Sequence, residues 1–395
     1  MRIASNVYQL QWLASIRRQQ ATLAETQQQV STGKRINTAA DDPAGAAQAI
    51  LLQQGLDRLE NYTANSETAR RRLSLEESSL SQASDALNRI RELALQASNA
   101  TQTPETRRAI AAEASELLTG LLNTANAQDG EGRYLFAGNL VQSRPFNLAG
   151  TVTYAGDNGT RSQRVADARV VQEGDPGSAI FMQVPGGNGA FTVAGNGANQ
   201  GTAFWTSATA TSGGAFVPGD YTLEFTSTST WEARSGGTVV ASGSYAAGQS
   251  ISFQGATIEF QGTPAAGDQF TVATARFQDV FQTVQDFITA LGTDTSAPAG
   301  RASFQNALNG SLQNLDQALQ HLGNFRSQVG SRLATIDQQT DNNADVKLEL
   351  SKSLSAVRDL DYATAISRLE QELTSLDAAQ KAYARTRSLS LFDVL

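Results

Sequence analysis

Apolar residues at both ends of the chain recur at alternating intervals of three and four. Ile3, Val7, Leu10 and Ala14 form the first series, and Ile366, Leu369, Leu373, Leu376 and Tyr383 the last, its final interval doubled to seven. Such intervals place side chains on one stripe of a helix, and their sustained alternation is the seam of a coiled coil. No helix can bury its own stripe. The two segments must therefore pair with each other or wait for neighbouring molecules, an arrangement suited to a subunit that polymerises.

Inside these ends the helical period continues. Tyr62, Ala69, Leu73, Leu80, Ala83, Leu87, Ile90, Ala94 and Ala97 keep one register, with Ser66 and Glu76 as polar interruptions, while Leu52, Leu56 and Leu59 extend the helix on a shifted stripe. A pattern this long predicts a rod. It breaks at Asn99-Ala100-Thr101-Gln102, and Thr103-Pro104-Glu105 then supplies an N-cap, a first-turn proline and a dipole-favoured acid. The following helix carries Ile110, Ala114, Leu117 and Leu121, and the short link predicts an antiparallel hairpin.

Past Asp129-Gly130 the period changes. Most of the 33 glycines fall between about 130 and 270, among alternating runs such as Tyr221–Phe225, Ser250–Phe253, Ala256–Phe260 and Gln269–Val272. Short strands separated by Gly-rich turns predict an antiparallel β domain, as a sandwich or two small sheets. Helical spacing returns at Phe277 with Phe281, Val284, Ile288 and Leu291, and breaks at Ser296–Gly300. It resumes from Phe304 to Ile336, and a last helix is expected from about Asp345 toward Arg385. The predicted class is α+β: a long antiparallel helical bundle formed by both chain ends, with an inserted Gly-rich β domain. Five segments follow: an assembly helix and linker (1–40), half of the bundle (41–129), the insert (130–276), the other half (277–344) and a second assembly helix (345–395).

Charge and residue types narrow the function. A net charge of -8 argues against a nucleic-acid surface, and the basic run Arg70-Arg71-Arg72 fits a solvated helix face. There are no cysteines, so disulfides, thiol nucleophiles and Cys-ligated metals are excluded. The first residues lack the apolar core of about 7–15 residues found in secretory signals, and no run approaches the roughly 20 apolar residues of a membrane span. The single histidine, His321, has no partner for a base relay or metal site. Asp41 and Asp42 are adjacent, and Asp42 before Pro43 reads as a helix cap better than as half of an acid–base pair. Gly33-Lys34-Arg35 lacks the upstream glycine, the hydroxyl residue and the preceding strand of a phosphate loop, so Gly33 reads as a helix C-cap. No enzyme and no cofactor are expected.

Three segments carry more than period. Ser31 to Gly45 reads Ser-Thr-Gly-Lys-Arg-Ile-Asn-Thr-Ala-Ala-Asp-Asp-Pro-Ala-Gly and resembles the signature after the first helix of the flagellin superfamily. Gly33, Arg35, Ile36, Asn37, Asp41, Asp42, Pro43 and Gly45 carry that likeness. The closing run from Ser388 through Leu389, Leu391 and Phe392 to Leu395 resembles the terminus of the same superfamily. Pro264–Val272 is similar to a strand-turn element of flagellar hook-associated proteins. Pro43 and the Leu-Ser-Leu-Phe ending lean toward the hook-associated junction branch, since a flagellin usually has Asp-Asp-Ala-Ala-Gly and ends differently.

The resemblance implies a subunit exported unfolded through the flagellar type III channel without a cleaved signal, with a chaperone holding its C-terminal segment. It further implies a homo-oligomeric ring on hook-associated protein 1, beneath the flagellin filament and outside the cell. The expected assembly surface comprises Ile3, Val7, Leu10, Ala14, Ile366, Leu369, Leu373, Leu376, Tyr383, Leu389, Leu391, Phe392 and Leu395. Isolated helices are marginal in water, so residues 1–32 and 345–395 are expected to depend on partners for order. The alternatives are a flagellin-type filament subunit, or a surface adhesin whose β domain presents Trp205, Trp231 or Tyr245 to a ligand.

Overall fold

A computed structural model describes residues 2–99, 101–210 and 215–392; at 2–6, 9 and 386–392 it describes the backbone only. Six α-helices, one short π-helix (Ser178–Met182) and fourteen strands are present among the described residues. They fall into two compact units, Met1–Ala64 with Gln339–Leu395 and Asn65–Gln338. The terminal unit contains α1 (Arg2–Thr32), the start of α2 (Pro43–Ala97), the end of α5 (Pro298–Arg358) and α6 (Tyr362–Phe392). The expected break near residue 345 is absent: α5 continues to Arg358 and the chain turns at 359–361. No Gly or Pro interrupts 331–358 to stop it.

In the central unit α2 and α5 are joined by α3 (Pro104–Ala125) and α4 (Val280–Leu291) around one core. The rod's stripe is sealed, with Ala69, Leu73, Leu80, Ala83, Leu87 and Ile90 fully buried against Ile110, Leu121, Val284, Leu308 and Leu322. Thr103 caps α3 as the sequence predicts, within a box in which Thr106 bonds back to it. Phe277 departs from its expected helix. It lies in a two-residue strand, is 70% exposed, and α4 starts only after Asp279 accepts the Gln282 N–H.

The span from 130 to 276 has two allegiances. Strands β1 (Phe146–Ala149), β2 (Thr151–Tyr154), β3 (Ser162–Ala166) and β4 (Arg169–Gln172) form two hairpins. Phe136, Phe146, Val165, Val171 and Phe181 join the helical core. Charge staples this region down. Arg72 donates to the carbonyls of Tyr134 and Leu135, the Asp175 N–H donates to Glu76, and Arg332 donates twice to the Asp175 carboxylate (2.6 and 3.1 Å). Burial, then the neighbouring Asp175, pushes the Glu76 carboxyl up to about 8.

A short pair, β5 (Val184–Pro185) with β14 (Phe277–Gln278), leads into the insert proper. Its strands are β6 (Phe191–Gly195), β7 (Phe204–Ala210), β8 (Asp220–Ser227), β9 (Thr230–Ser235), β10 (Thr238–Ser244), β11 (Ser250–Phe253), β12 (Ala256–Gln261) and β13 (Asp268–Thr274). They make a five-stranded sheet, β10-β9-β8-β13-β6, and a three-stranded sheet, β11-β12-β7, all antiparallel. Alternate residues such as Leu223, Phe225, Ile258, Phe260, Phe270 and Val272 meet in one separate core, the period-two outcome of strands buried on one face.

Candidate assembly interface

In the terminal unit α1 and α6 pack on each other as an antiparallel pair. On α1 the positions withdrawn from solvent include Ile16, Gln19, Leu23, Thr26 and Val30, flanked by Ser15 and Gln29; on α6 they include Ala365, Leu369, Glu372, Leu376, Ala379 and Tyr383, flanked by Ala382. Both series alternate three and four, so each helix offers one coiled-coil seam. The predicted stripe of α1 lies elsewhere. Val7, Leu10 and Ala14 are exposed, Leu10 by 66%. At 3.6 residues per turn they sit roughly 180° around the helix from the seam.

The predicted stripe of α6 divides: Leu369, Leu376 and Tyr383 face the seam, whereas Ile366 and Leu373 are each 46% exposed. The side chains of Ile3, Leu389, Leu391 and Phe392, and Leu395 as a whole, lie outside the described residues. Sequence reasoning thus found part of the open apolar surface of α1, to which Tyr8, Trp12 and Leu13 also belong, and missed Ile16, Leu23 and Val30. Continuing the count of three and four from Trp12 finds them.

The signature loop sets this pair at its elbow. Gly33 ends α1 with φ +69°, a torsion that favours glycine, and a Cβ there would stand 2.7 Å from the Tyr362 hydroxyl and displace the tip of that ring. Lys34 and Asp359 then form an antiparallel bridge. The Arg35 N–H donates to the Arg358 carbonyl (2.7 Å), and the Leu360 N–H to the Gly33 carbonyl (3.0 Å). The Arg35 guanidinium reaches the Val357 carbonyl (2.7 Å) and the Asp42 carboxylate (3.2 Å). One residue therefore ties the loop before α2 to the end of α5.

The loop's remaining residues shape its turn. Asp41 accepts from the N–H groups of Asn37 and Thr38 (2.9 and 2.8 Å), chiefly Thr38, which hold its carboxyl below the usual range. Asp42 accepts the Gly45 N–H (2.9 Å) and caps α2 ahead of Pro43, lowering its own pKa through that bond and then through Arg35. Ile36 is buried beneath, and a Cβ on Gly45 would come within 2.6 Å of its Cδ1. Asp361 caps α6 through Ala363, Thr364 and the Thr364 hydroxyl.

Beside the elbow an open cleft of about 360 Å³ is lined by Glu25, Gln29, Arg35, Asp41, Thr364 and Arg368 among others. Its charged lining is four carboxylates (Glu25, Asp41, Asp42 and Asp361) and two guanidiniums (Arg35 and Arg368). His321 contacts the Ala179 carbonyl and packs on Phe325. Trp205, Trp231 and Tyr245 are buried in the insert's core and present no ring to a ligand, which removes the structural support for the adhesin alternative.

Residues 3–140 match the bacterial flagellin N-terminal helical region and residues 312–395 the bacterial flagellin C-terminal helical region. The flagellar hook-associated protein 3 of Salmonella typhimurium is 35% identical over 184 residues, 47% of this chain and 58% of that protein. The match thus spans a little over half the length of that curated relative. The crystal structure of Xanthomonas campestris FlgL is 32% identical with a TM-score of 0.73, covering 77% of this chain and 99% of that one. The flagellar junction protein FlgL of Legionella pneumophila is 32% identical with a TM-score of 0.72, covering 79% and 100%.

Proposed function

The chain belongs to the flagellar hook-associated protein 3 family within the flagellin superfamily, and on that premise we propose that it is a structural subunit of the bacterial flagellum at the hook–filament junction. It assembles through α1 and α6 as a homo-oligomeric ring between hook-associated protein 1 and the flagellin filament. It arrives by export through the flagellar channel with a chaperone on its C-terminal segment. The role is that of a building block rather than a catalyst.

The observation that carries this reading is the two-sided α1/α6 pair. From Ile16 to Val30 one face of α1 is occupied by α6. Nearer the N-terminus Val7, Leu10 and Ala14 are open on the opposite face and Tyr8 and Trp12 on the seam side, with Ile366 and Leu373 open on α6. Covering Val7, Leu10, Ile366 and Leu373, each already part-buried, contributes on the order of 1 kcal/mol apiece. One neighbour therefore supplies about 4 kcal/mol, only the lower end of the 4–15 kcal/mol cost of association. Two subunits alone stay apart, whereas neighbours on several sides hold firmly. A closed ring or tube meets that requirement.

The flagellin alternative uses the same helices. It is disfavoured because the solved structures that combine 32% identity with TM-scores of 0.72–0.73 are FlgL proteins. Immunogold labelling of isolated flagella tests the reading: label is expected as a single band between hook and filament. Label along the filament would replace this function with the flagellin one. A variant lacking residues 386–395 should remain soluble and fail to enter the band, and normal incorporation would overturn the terminal-helix mechanism.

A further inference from the structure

The three-stranded sheet of the insert has an open edge at β7, and α5 lies along it. Trp205 uses both backbone groups on the helix: its N–H donates to Asn306 Oδ1 (3.0 Å), and its carbonyl accepts from Asn309 Nδ2 (2.6 Å). Three residues on, the Ala208 carbonyl accepts from Gln313 Nε2 (3.1 Å). In an antiparallel strand a residue's N–H and C=O point the same way, so 205 and 208 both face outward only if one extra residue lies between them. The register slip opposite Glu259/Phe260 provides it. The amide stripe at 306, 309 and 313 has the three–four spacing of a helix face and meets the edge where a fourth strand would bond.

The same face reaches the insert twice more. The Gly187 N–H donates to Asn314 Oδ1 (2.7 Å), and a Cβ on Gly195, at the end of edge strand β6, would stand 3.1 Å from Asn306 Nδ2. Unpaired edge groups are templates for another chain's strand, and proteins cover them or break them up. Asn306 is itself buried, so its amide finds its partners in the sheet.

We infer that the amide ladder of α5 is a surrogate strand that fixes the insert to the helical body and withholds the β7 edge from a second copy of this chain. In the assembly proposed above, where copies are crowded together, the β7 edge then offers no strand pairing to a neighbour.

Hydrogen exchange and sedimentation of the full chain test this with N306A/N309A/Q313A. Exchange of the Trp205 amide should accelerate at least tenfold while β8 and β13 stay protected, and self-association should rise above wild type. Adding S207K, an edge charge, should restore wild-type sedimentation and leave Trp205 exchanging fast. Unchanged Trp205 protection, or a triple variant that sediments as wild type, would overturn the inference. If β8 and β13 lose protection too, N306A alone decides: fast Trp205 exchange supports the ladder, and wild-type exchange refutes it.

Discussion

The stripe of α2 from Ala69 to Ile90 and the stripe of α1 from Val7 to Ala14 follow the same alternation of three and four, yet one is sealed and the other open. In the central unit the partner helices come from the same chain. In the terminal unit α1 has a partner on one face only. A heptad pattern states that a stripe needs covering; it does not state by whom. The degree of cover in a single chain separates a folding core from an assembly surface.

The comparison predicts opposite phenotypes for similar substitutions. L10D with L373D places charge on the open face and should abolish incorporation into flagella, at least a tenfold loss by quantitative labelling, with the unfolding midpoint of the soluble chain unchanged. If incorporation persists, the open face is not the assembly surface. In the sealed stripe, L80A should cost about 2–5 kcal/mol in urea denaturation through the cavity it leaves. A cost below about 1 kcal/mol would mean that the stripe is not close-packed.

Glu76 sharpens the contrast, because it is a polar interruption inside the sealed stripe. Its folded-state carboxyl titrates near 8 and its ordinary value is 4.5. The folded chain thus keeps a proton that the unfolded chain releases, and stability falls as pH rises from about 4.5 to about 8. E76Q should flatten that dependence, matching wild type below pH 4.5 and melting higher than wild type at pH 9. A slope retained in the variant would assign it to other groups.

The smallest effect is expected at the elbow. G33A must hold a left-handed torsion at a cost of roughly 1–2 kcal/mol and press on the Tyr362 hydroxyl. Exchange protection should fall in α1 and α6 and stay unchanged in α3 and α4, with Y362F recovering part of the loss. Equal loss in both units would contradict a local role for the loop.

Much of the elbow was legible because its chemistry is local. Gly33 as a C-cap, Asp42 before Pro43, and Thr103 before Pro104 are each decided within a few residues. The errors share a different cause. Phe277 fits the helical period and belongs to a strand because Pro185 pairs with it across 92 positions. Hairpins between 146 and 172 read as part of the insert, but their apolar residues are claimed by helices distant in sequence. Arg35 is one motif residue among several in the sequence, and its role depends on the Val357 carbonyl, 322 positions away, as well as on nearby Asp42.

By itself the sequence determined the helical and extended periods, the caps and turns, and the need of both termini for apolar partners, since these follow from torsional preference and side-chain spacing along a short stretch of chain. Only the tertiary structure decided which face of α1 is spent on α6 and which stays free, where α5 stops, and how its amides close the β7 edge. Those outcomes depend on groups far apart in sequence competing for the same surface, and spacing along one segment carries no record of that competition.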